Sequence, residues 1–499
     1  MHSRYYSALC GLARAISIAT VTALALTSCS DNTTDALAKF TVSTSEQIAA
    51  RDSDQRPNII VVLTDDQGYA DLGAQGVLSD VQTPHIDQLA EDGTRMTSGY
   101  VTAPQCTPSR AGLITGKYQQ RFGLDDNRFN PMPLQETTLA DRLKNAGYTT
   151  GMVGKWHLEI DKNSQDYEIA NTPIEQRVPF FPDQRGFDDV YFGYVKTWWT
   201  NFDIQGNTLP AQHRKNTNYR LDIVTDASIA FINRQKQKPF FLYTSYYGPH
   251  VPLSATDRYL SRFSSVTETR RQHALAMIAA IDDGVGRIRE TLDSNGLSDN
   301  TLIFFISDNG APLGIHKLDL PVSDHSGEWD GSLNDPMVGE KGMLSEAGIR
   351  VPFIVSWPGT LPAGVVSDTP VTTLDVATTS LAAAGVELPD ELDGVNLIPS
   401  LSGDTVLGER PLYWRFWNQA AIRKGSWKFL KAGAGTEFLF NMDNTTPETS
   451  NVLSDYPDIA DELRQQLSSW AVDLHRPGLS DSTLNNKEKD WYEHYFPAN

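Results

Sequence analysis

The chain has 499 residues, 40% of them hydrophobic, and a formal net charge of −20. This length and apolar content allow a large domain with a smaller one beside it. The acidic excess argues against nucleic acid as a partner, because a phosphate backbone attracts basic surfaces. It leaves small anionic ligands open, since a few local cations override a distant field that salt screens.

Residues 1–28 have the layout of a secretory signal peptide, with early arginines, an apolar stretch over residues 15–26 and small residues after it. That stretch is too short to span a bilayer as a permanent helix. The segment LTSC, which ends at Cys29, resembles the bacterial lipobox, which implies that Cys29 is lipidated and becomes the first mature residue. A cleaved signal with a chance cysteine is the alternative. Because Ser30 follows Cys29, we expect an exported protein held in the bacterial cell envelope, at the outer membrane, by an N-terminal lipid.

The next segment, residues 29–55, is polar and lacks a sustained apolar period, which predicts a flexible tether. On the lipoprotein interpretation Cys106 is the only cysteine in the mature body, so no internal disulfide is expected. The element pattern divides the remainder into a large domain over residues 56–404 and a C-terminal subdomain over residues 405–499.

Short apolar runs alternate with helical patterns through the large domain. Runs such as residues 58–63, 240–244 and 302–306 are typical of strands buried on both faces. Between the runs, the segments HIDQLAEDG, ETTLADRLKNAG and HALAMIAAIDDGVGRIRETLDSNG have helical spacing and end in glycine. The alternation predicts an α/β fold with a mixed, mostly parallel sheet between helices.

The pattern changes near residue 405. The segments RPLYWRFW, QAAIRKGSWKFLK and EFLFNM are short strand-like runs separated by turns, and DIADELRQQLSSWAVDL is an amphipathic helical pattern. We therefore expect a small antiparallel sheet with one packed helix in the C-terminal subdomain.

Polar side chains follow four of the apolar runs in the large domain. In open parallel sheets the ligand site lies beyond the carboxyl ends of the strands, so these side chains are expected to meet in one crevice. They are Asp65 and Asp66, Lys155 and His157, His250, and Asp308 with Asn309.

Two of these groups are oxygen-rich pairs. Asp65 with Asp66 and Asp308 with Asn309 supply the hard ligands that calcium or magnesium prefers. Asp-Asp and Asp-Asn-Gly are also turn formers, and that is the alternative for either pair alone. Two pairs, each directly after a buried run, favour a metal site.

The segment QCTPSRAGLITGKY predicts a helix that begins beside Cys106. The unpaired N–H groups and the dipole of a helix N-terminus favour an anion. Arg110, Lys155 and Lys341 add positive charge, and His157 and His250 add proton carriers. Together with a divalent cation, these groups suit the ester of a tetrahedral oxyanion.

The stretch Cys106-Thr107-Pro108-Ser109-Arg110 resembles C-x-P-S-R, the signature of the formylglycine-dependent sulfatases, in which a maturation enzyme oxidises the cysteine to an aldehyde. Blocks such as NIIVVLTDDQGYADLG, TPHIDQLAEDG, GYTTGMVGKWHL and FISDNGA are similar to family blocks in the family's order, and the resemblance extends over residues 57 to about 455. It implies an alkaline-phosphatase-like fold in which residues 56–404 form the catalytic domain. Glu159 and Ala347 stand where glycine is common in the family.

The resemblance also implies residue roles. Cys106 becomes formylglycine, whose hydrate attacks sulfur and contributes to metal binding; Arg110 holds the hydrate and Lys155 bridges it to the sulfate. His157 handles a proton of the hydrate, while His250 and Lys341 bind the ester and help to protonate the leaving alcohol. The implied ligands of the cation, calcium with magnesium as the alternative, are Asp65, Asp66, Asp308 and Asn309, beside the modified Cys106.

Substrate specificity is expected to come from two long segments around the pocket. One runs from Glu159 to Tyr219 and the other follows Gly314. Aromatic, amide and cationic side chains suit a sugar ring and its hydroxyls, although packing within the loop is the alternative for the two adjacent tryptophans. The candidates are Trp198, Trp199, Asn201, His316, Lys317, His325 and Trp329.

Our hypothesis is therefore a sulfatase that hydrolyses sulfate esters of a carbohydrate, as on oligosaccharides from a sulfated polysaccharide. An arylsulfatase, or a phosphodiesterase or phosphonate monoester hydrolase of the same superfamily, is the nearest alternative. A non-catalytic glycan-binding lipoprotein that keeps its cysteine is the alternative of another class.

Overall fold

The structure, a computed structural model, describes residues 56–315, 329–444 and 447–497. The predicted signal peptide and tether, Cys29, and the candidate residues His316, Lys317 and His325 lie outside the described residues. Within those ranges no helix combines the length and the apolar composition that a membrane crossing requires.

The strands of the described chain fall into three sheets. In chain order they are β1 (Asn58–Asp65), β2 (Thr94–Met96), β3 (Gly99–Tyr100), β4 (Thr149–Gly154), β5 (Asp189–Tyr194), β6 (Thr197–Phe202), β7 (Thr208–Lys215), β8 (Phe240–Pro249), β9 (Thr301–Ser307), β10 (Phe353–Ser356), β11 (Val365–Ser367), β12 (Val371–Thr372), β13 (Leu412–Phe416), β14 (Gln419–Lys424), β15 (Trp427–Ala432) and β16 (Glu437–Asn441).

The helices surround these sheets, and short 3₁₀ turns connect several of them. In chain order they are α1 (Pro84–Glu91), α2 (Cys106–Thr115), α3 (Leu139–Asn145), α4 (Ile174–Arg177), α5 (Arg220–Gln235), α6 (Asp257–Leu260), α7 (Thr269–Ser294), α8 (Glu346–Ile349), α9 (Leu374–Ala383), α10 (Ile398–Leu401), α11 (Pro457–Val472) and α12 (Asn486–Tyr495).

The largest sheet has ten strands in the order β11-β2-β10-β9-β1-β8-β4-β5-β6-β7. Its five central strands, β9, β1, β8, β4 and β5, run parallel to one another. Strand β10 on one side and strands β6 and β7 on the other pair antiparallel. This confirms the predicted mixed, mostly parallel sheet.

Strand β1 is buried along its whole length, as its unbroken apolar run predicts. Ile60 and Val62 pack in one cluster with Ile86 of α1, Val224 of α5 and Ile281 of α7. The residues that alternate with Ile60 and Val62 are equally buried and point to the opposite face of the sheet. The polar residues that end β1 therefore emerge from a strand that is covered on both sides.

The segment from Glu159 to Tyr219, expected to lie around the pocket, is not one continuous loop. Strands β5, β6 and β7 lie within it and extend the sheet. The side chains of residues 197–202 are therefore governed by strand alternation and not by loop geometry.

The C-terminal part contains the predicted small antiparallel sheet. Strands β13 to β16 pair each with the next, and α11 packs against them through Leu463 and Leu467, which contact Ile422, Phe429 and their neighbours. The boundary predicted between residues 404 and 405 stays a prediction.

A buried ionic junction joins this small sheet to the large domain. The ammonium of Lys428 is fully buried and lies 2.9 Å from Glu346 Oε1 and 2.7 Å from Glu448 Oε1. Glu346 Oε2 also accepts a hydrogen bond of 2.7 Å from the hydroxyl of Tyr100. Because a buried charge is costly without its partner, these contacts hold β15 and α8 in one arrangement.

We predict that Lys428→Ala lowers the free energy of unfolding by about 3–5 kcal/mol, because it removes the buried cation from Glu448 and leaves Glu346 with Arg350 alone as an ion-pair partner in the described chain, at 3.3 Å. Denaturant titration of Lys428→Ala and of the wild type measures this loss of unfolding free energy.

The control, Lys424→Ala, removes a partly exposed lysine that pairs with Glu462 at 2.8 Å, and it should cost at most about 1 kcal/mol. Equal losses of unfolding free energy in the two variants would show that the buried junction stabilises the fold no more than a surface ion pair does.

Candidate active site

Helix α2 begins at Cys106, as the sequence predicts, and all its residues are buried. Gln105 precedes it in extended conformation, and Gly116 ends it with a φ of 68°, a left-handed value that favours glycine. The amide of Thr107 donates to Asn127 Oδ1 at 3.1 Å, so the first turn of the helix is already partly satisfied. The helix therefore presents Cys106 from a rigid, buried base.

Backbone hydrogen bonds tie the ends of the central strands together beside this helix. The amide of His250 donates to the carbonyl of Asp65 at 3.1 Å, and the amide of Asp308 donates to the carbonyl of Thr64 at 3.1 Å. The amide of Asp66 donates to Asp308 Oδ1 at 3.1 Å. The polar residues that follow β1, β8 and β9 thus meet at one edge of the sheet, as parallel pairing requires.

Three cations neutralise the three carboxylates at this edge. The Lys155 ammonium lies 2.7 and 2.8 Å from the two oxygens of Asp65, and the Lys341 ammonium lies 2.5 Å from Asp66 Oδ1. The Arg110 guanidinium lies 2.6 Å from Asp308 Oδ2.

These contacts set the protonation states. Burial alone would raise the pKa of Asp65, but Lys155, His250 and Arg110 hold it well below its ordinary value. Burial raises the pKa of Asp308 to about 6 in spite of Arg110. Burial would lower the pKa of Lys341, but Asp66 and its neighbours raise it well above the ordinary value. Lys341 therefore stays protonated and positively charged at neutral pH.

Cys106 lies at the centre of these charges. Its sulfur is 3.3 Å from Lys341 Nζ, 3.5 Å from Asp65 Oδ1 and 3.9 Å from Asp66 Oδ1. Burial raises the pKa of the thiol above its ordinary value, although Lys155 and Lys341 pull it down. An activated cysteine nucleophile requires the opposite shift, so an unmodified thiol is poorly suited to attack an ester here.

One ring nitrogen of His157 contacts a carboxylate, and the other has no hydrogen-bond partner in the described chain. Its Nε2 lies 3.0 Å from Asp161 Oδ2, and its buried Nδ1 has no hydrogen-bond partner among the described residues. Burial, followed by the nearby charge of Lys155, lowers the pKa of His157 to about 4. At neutral pH the ring is therefore neutral, donates from Nε2 to Asp161, and offers Nδ1 as a proton acceptor.

His250 has the opposite arrangement. Its Nδ1 lies 2.5 Å from the carbonyl of Val251, and its Nε2 lies 3.6 Å from Asp66 Oδ2. Burial lowers the pKa of His250 in spite of Asp65 and Asp66. A neutral His250 that donates from Nδ1 leaves Nε2 facing the acidic group.

The residues at this edge fit a hard divalent cation. Asp65, Asp66, Asp308 and Asn309 are all buried and provide only oxygen donors. Oxygens of Asp65 and Asp66, the sulfur of Cys106 and a ring nitrogen of His250 lie within 4.8 Å of one another. The amide nitrogen of Asn309 donates to Asp66 at 2.6 Å, while its buried Oδ1 has no hydrogen-bond partner in the described chain. An unpaired buried carbonyl oxygen beside carboxylates is the position of a cation ligand.

Sequence reasoning missed several residues that position this site. Ser245 accepts a hydrogen bond of 2.5 Å from Arg110 Nη1, and Asp161 holds His157. Glu340, beside Lys341, accepts amide hydrogen bonds of 2.8 Å from Leu313, Gly314 and Ile315. Only Ser245 carried a local signal, because it lies in the apolar run of β8.

The described candidates for sugar contacts are corrected. Trp198 is fully buried in the core and its Nε1 donates to the carbonyl of Asn216. Asn201 bonds the backbone of Asp188 and Val190, and buried Trp329 donates to the carbonyl of Ser332. These three side chains are structural because their polar atoms already have protein partners.

Trp199 points to the other face of β6 and is also mostly buried. Its ring lies 5.1 Å from those of Phe181 and His213, and its Nε1 has no hydrogen-bond partner among the described residues. Packing within the segment, the alternative stated for the two tryptophans, therefore describes Trp199, whereas Trp198 packs in the central core.

Comparison with known proteins identifies the family. The sulfatase family profile matches residues 57–386, and that of the N-sulphoglucosamine sulphohydrolase C-terminal region matches residues 338–472. The chain belongs to the sulfatase family. It is a sulfuric ester hydrolase, and its fold is the alkaline-phosphatase-like fold that the sequence resemblance implied.

Relatives and solved structures agree with this assignment. The chain is 31% identical over 414 residues to N-acetylgalactosamine-6-sulfatase of Mus musculus, covering 76% of this chain and 73% of the relative. It is 29% identical over 476 residues to arylsulfatase J of Mus musculus, covering 83% and 76%. The crystal structure of Ps i-CgsB in complex with k-i-k-neocarrahexaose is 30% identical, with a TM-score of 0.71 and coverage of 89% of this chain and 98% of that chain.

We predict that Asp161→Asn lowers kcat for 4-nitrophenyl sulfate about 10- to 100-fold, because the ring of His157 loses the carboxylate that sets its tautomer. The unfolding midpoint should change little. The matched control is Asp166→Asn, which alters an exposed carboxylate on the same segment. An unchanged kcat in Asp161→Asn would contradict the claim that His157, held by Asp161, transfers a proton in the reaction.

Proposed function

We propose that this sulfatase hydrolyses sulfate esters of a carbohydrate, on oligosaccharides from a sulfated polysaccharide, with a formylglycine at position 106 and a divalent cation. The observation that carries the proposal is the position of Cys106. It is the first residue of a buried helix, it lies within 4 Å of two carboxylates and a lysine, and it belongs to the segment CTPSR.

The surroundings of Cys106 favour a modified residue over a thiol. Burial keeps the thiol protonated, so nucleophilic chemistry at this position needs another group. A hydrated aldehyde supplies an attacking oxygen and a second hydroxyl whose deprotonation releases the sulfate. We propose that a formylglycine-generating maturation system converts Cys106 before the enzyme is active.

The side chains around position 106 are proposed to bind the ester and to transfer protons. Lys155 and Lys341 hold the anionic oxygens of the ester. His157 Nδ1, which is unprotonated and has no hydrogen-bond partner in the part of the chain that the structure describes, accepts a proton from the group at position 106. Lys341 remains charged because Asp66 raises its pKa, so it keeps its attraction for an anionic oxygen at neutral pH, and His250 and Lys341 together are the groups proposed to help protonate the leaving alcohol.

The cation would be held by Asp65, Asp66, Asp308 and Asn309. Calcium suits this set because it takes several oxygen ligands in flexible geometry, and magnesium is the alternative. Bound there, it supplies Lewis-acid stabilisation of an anionic oxygen. Arg110 links the set to the strand ends through its contacts with Asp308 and Ser245.

A carbohydrate substrate is supported by two of the similar proteins. One is named for a sulfate on N-acetylgalactosamine, and the other was crystallised with an oligosaccharide. Similarity to arylsulfatase J supports the alternative of an aryl ester. We propose further that the enzyme is exported and lipid-anchored through Cys29, on the sequence features of its first 30 residues.

We predict that the enzyme, produced in a host that matures sulfatases, releases sulfate from oligosaccharides of carrageenan or chondroitin 6-sulfate, because the pocket binds a sulfate whose alcohol is a sugar. Ion chromatography of free sulfate measures this. It should also prefer 4-nitrophenyl sulfate to 4-nitrophenyl phosphate by kcat/KM. Cys106→Ala should abolish both activities. Turnover of aryl sulfate alone would count against a carbohydrate substrate and favour an arylsulfatase, and preference for phosphate would support the phosphodiesterase alternative.

We predict that calcium stabilises the chelator-treated protein through Asp308. At 100 times its Kd a ligand adds about 2.7 kcal/mol to the free energy of unfolding, so the unfolding midpoint should rise with calcium. Asp308→Asn should lose most of this rise, with Asn309→Ala as a second variant if the first fails to fold. Asp283→Asn, in the separate cluster of His85, Asp282 and Asp283, should keep it. A shift that survives at Asp308 and Asn309 but disappears at Asp283 would place the ion elsewhere.

A further inference from the structure

A pocket of about 340 Å³ lies between the loop of residues 125–129 and the C-terminal part of the chain. Its walls include Arg128 and Phe129 from the loop, Trp417 from the turn after β13, and Arg476 from the segment after α11. We call it the arginine–tryptophan pocket. None of these residues belongs to the site described above.

The loop that forms one wall is tied directly to the helix that carries Cys106. The amide of Asn127 donates to Gln105 Oε1 at 3.2 Å, and Asn127 Oδ1 accepts from the amide of Thr107 at 3.1 Å. Asn127 thus contacts the residues on either side of Cys106. Arg128, the next residue, therefore lies at the border between the catalytic centre and the pocket.

A second contact fixes the loop to the segment that positions His157. The amide of Gln165 donates to the carbonyl of Arg128 at 2.8 Å, and Asp161 in the same segment contacts the His157 ring at 3.0 Å. Arg128 is thus held between the segments that carry Cys106 and His157. The loop that forms this wall is therefore linked to both catalytic segments, and this link is the ground for assigning the pocket to the sugar next to the cleaved ester.

The charges of the pocket are not balanced. Arg415 is fully engaged, with Asp125 at 3.0 Å and with three backbone carbonyls. Arg128 pairs with Asp126 through Nε and Nη2, at 3.1 and 2.9 Å, and its side chain is 59% exposed. The exposed Arg476 is near enough to Asp125 to oppose the burial that raises the pKa of that carboxyl, but it forms no ion pair within 4 Å in the described chain, so three arginines face two carboxylates in the lining. In a protein of net charge −20, this is a local site for an anion.

Aromatic rings complete the pocket. The Arg476 guanidinium lies 3.9 Å from the centre of the Phe129 ring, a cation–π contact that holds it without neutralising it. Trp417 is half-buried and its Nε1 donates to Asp126 Oδ2. Trp417 and Arg476 both have left-handed φ values, 50° and 60°, which are costly for residues other than glycine. The chain therefore maintains these two side chains in place at a conformational cost.

We propose that the arginine–tryptophan pocket binds an anionic substituent, a sulfate or a carboxylate, on a sugar residue next to the one that carries the cleaved ester. Arg128 and Arg476 pair with the anion, and Trp417 contacts the sugar ring. The inference rests on the proposed carbohydrate substrate and makes it more specific, because the enzyme then prefers polyanionic oligosaccharides to singly charged ones.

The test is calorimetric titration of the full-length protein and its Arg128→Gln and Arg476→Gln variants with three hexasaccharides. A carrageenan hexasaccharide carries sulfates, a hyaluronan hexasaccharide carries carboxylates, and an agarose hexasaccharide is neutral. Each variant should raise the Kd of at least one anionic hexasaccharide roughly three- to tenfold and leave the neutral one unchanged. The hexasaccharide that is affected identifies the anion as sulfate, carboxylate or either.

The matched control is Arg464→Gln, which removes a partly exposed arginine of α11 that also stacks on a phenylalanine ring, at 5.3 Å. It should bind all three hexasaccharides as the wild type does. Turnover of 4-nitrophenyl sulfate by Arg464→Gln should also stay within about twofold of the wild type, because this arginine lies outside both the catalytic site and the pocket.

Unchanged affinity in both variants, equal loss with the neutral hexasaccharide, or a wild-type protein that binds neither anionic hexasaccharide would overturn the proposal. Sulfate release is scored separately. A protein that releases no sulfate but binds anionic hexasaccharides through the two arginines would contradict the proposed function and support the proposed pocket. A protein that releases sulfate but binds equally well without either arginine would support the function and contradict the pocket.

Discussion

The structure depends on the neutralisation of buried charge at the carboxyl ends of its central strands. Asp65, Asp66 and Asp308 are buried at one edge of the sheet, where unpaired carboxylates would be prohibitively costly. Lys155, Lys341 and Arg110 each contact one of them within 2.8 Å. The same cations surround Cys106, so the charges that stabilise this edge also prepare it for an anionic ester.

The C-terminal sheet contributes to this arrangement from the other side. Lys428 bonds Glu346 on helix α8, in the same segment of chain as Lys341. Trp417 donates to Asp126 in the loop that adjoins Cys106. The small sheet therefore has two roles. It fixes the segment that carries Lys341, and through Trp417 it forms part of the pocket proposed to bind the neighbouring sugar.

The sequence predicts the parts of this protein that depend on local pattern. Unbroken apolar runs identify the parallel strands, and Asp65, Asp66, Asp308 and Asn309 follow them directly, so their meeting at one edge is a consequence of topology. Partners set by tertiary structure could not be predicted. Asp161 resembles many other polar residues in the sequence, and nothing local marks Lys428 as a buried lysine, since lysines are almost always exposed.

The error at Trp198 and Asn201 has a related cause. Adjacent aromatic and polar residues in a long segment are typical of a sugar-binding loop, but on a strand neighbouring side chains face opposite sides of the sheet. Trp198 therefore enters the core, and Asn201 bonds the adjacent backbone. Arg128, Trp417 and Arg476 come together only in the folded chain, so no motif connects them in the sequence.

The most direct test of the central claim is the mass of the peptide that contains Cys106, isolated from protein made in a host that matures sulfatases. The account predicts an aldehyde in place of the thiol, together with sulfatase activity that rises with the modified fraction. Full activity in protein whose Cys106 peptide carries only the unmodified thiol would contradict it.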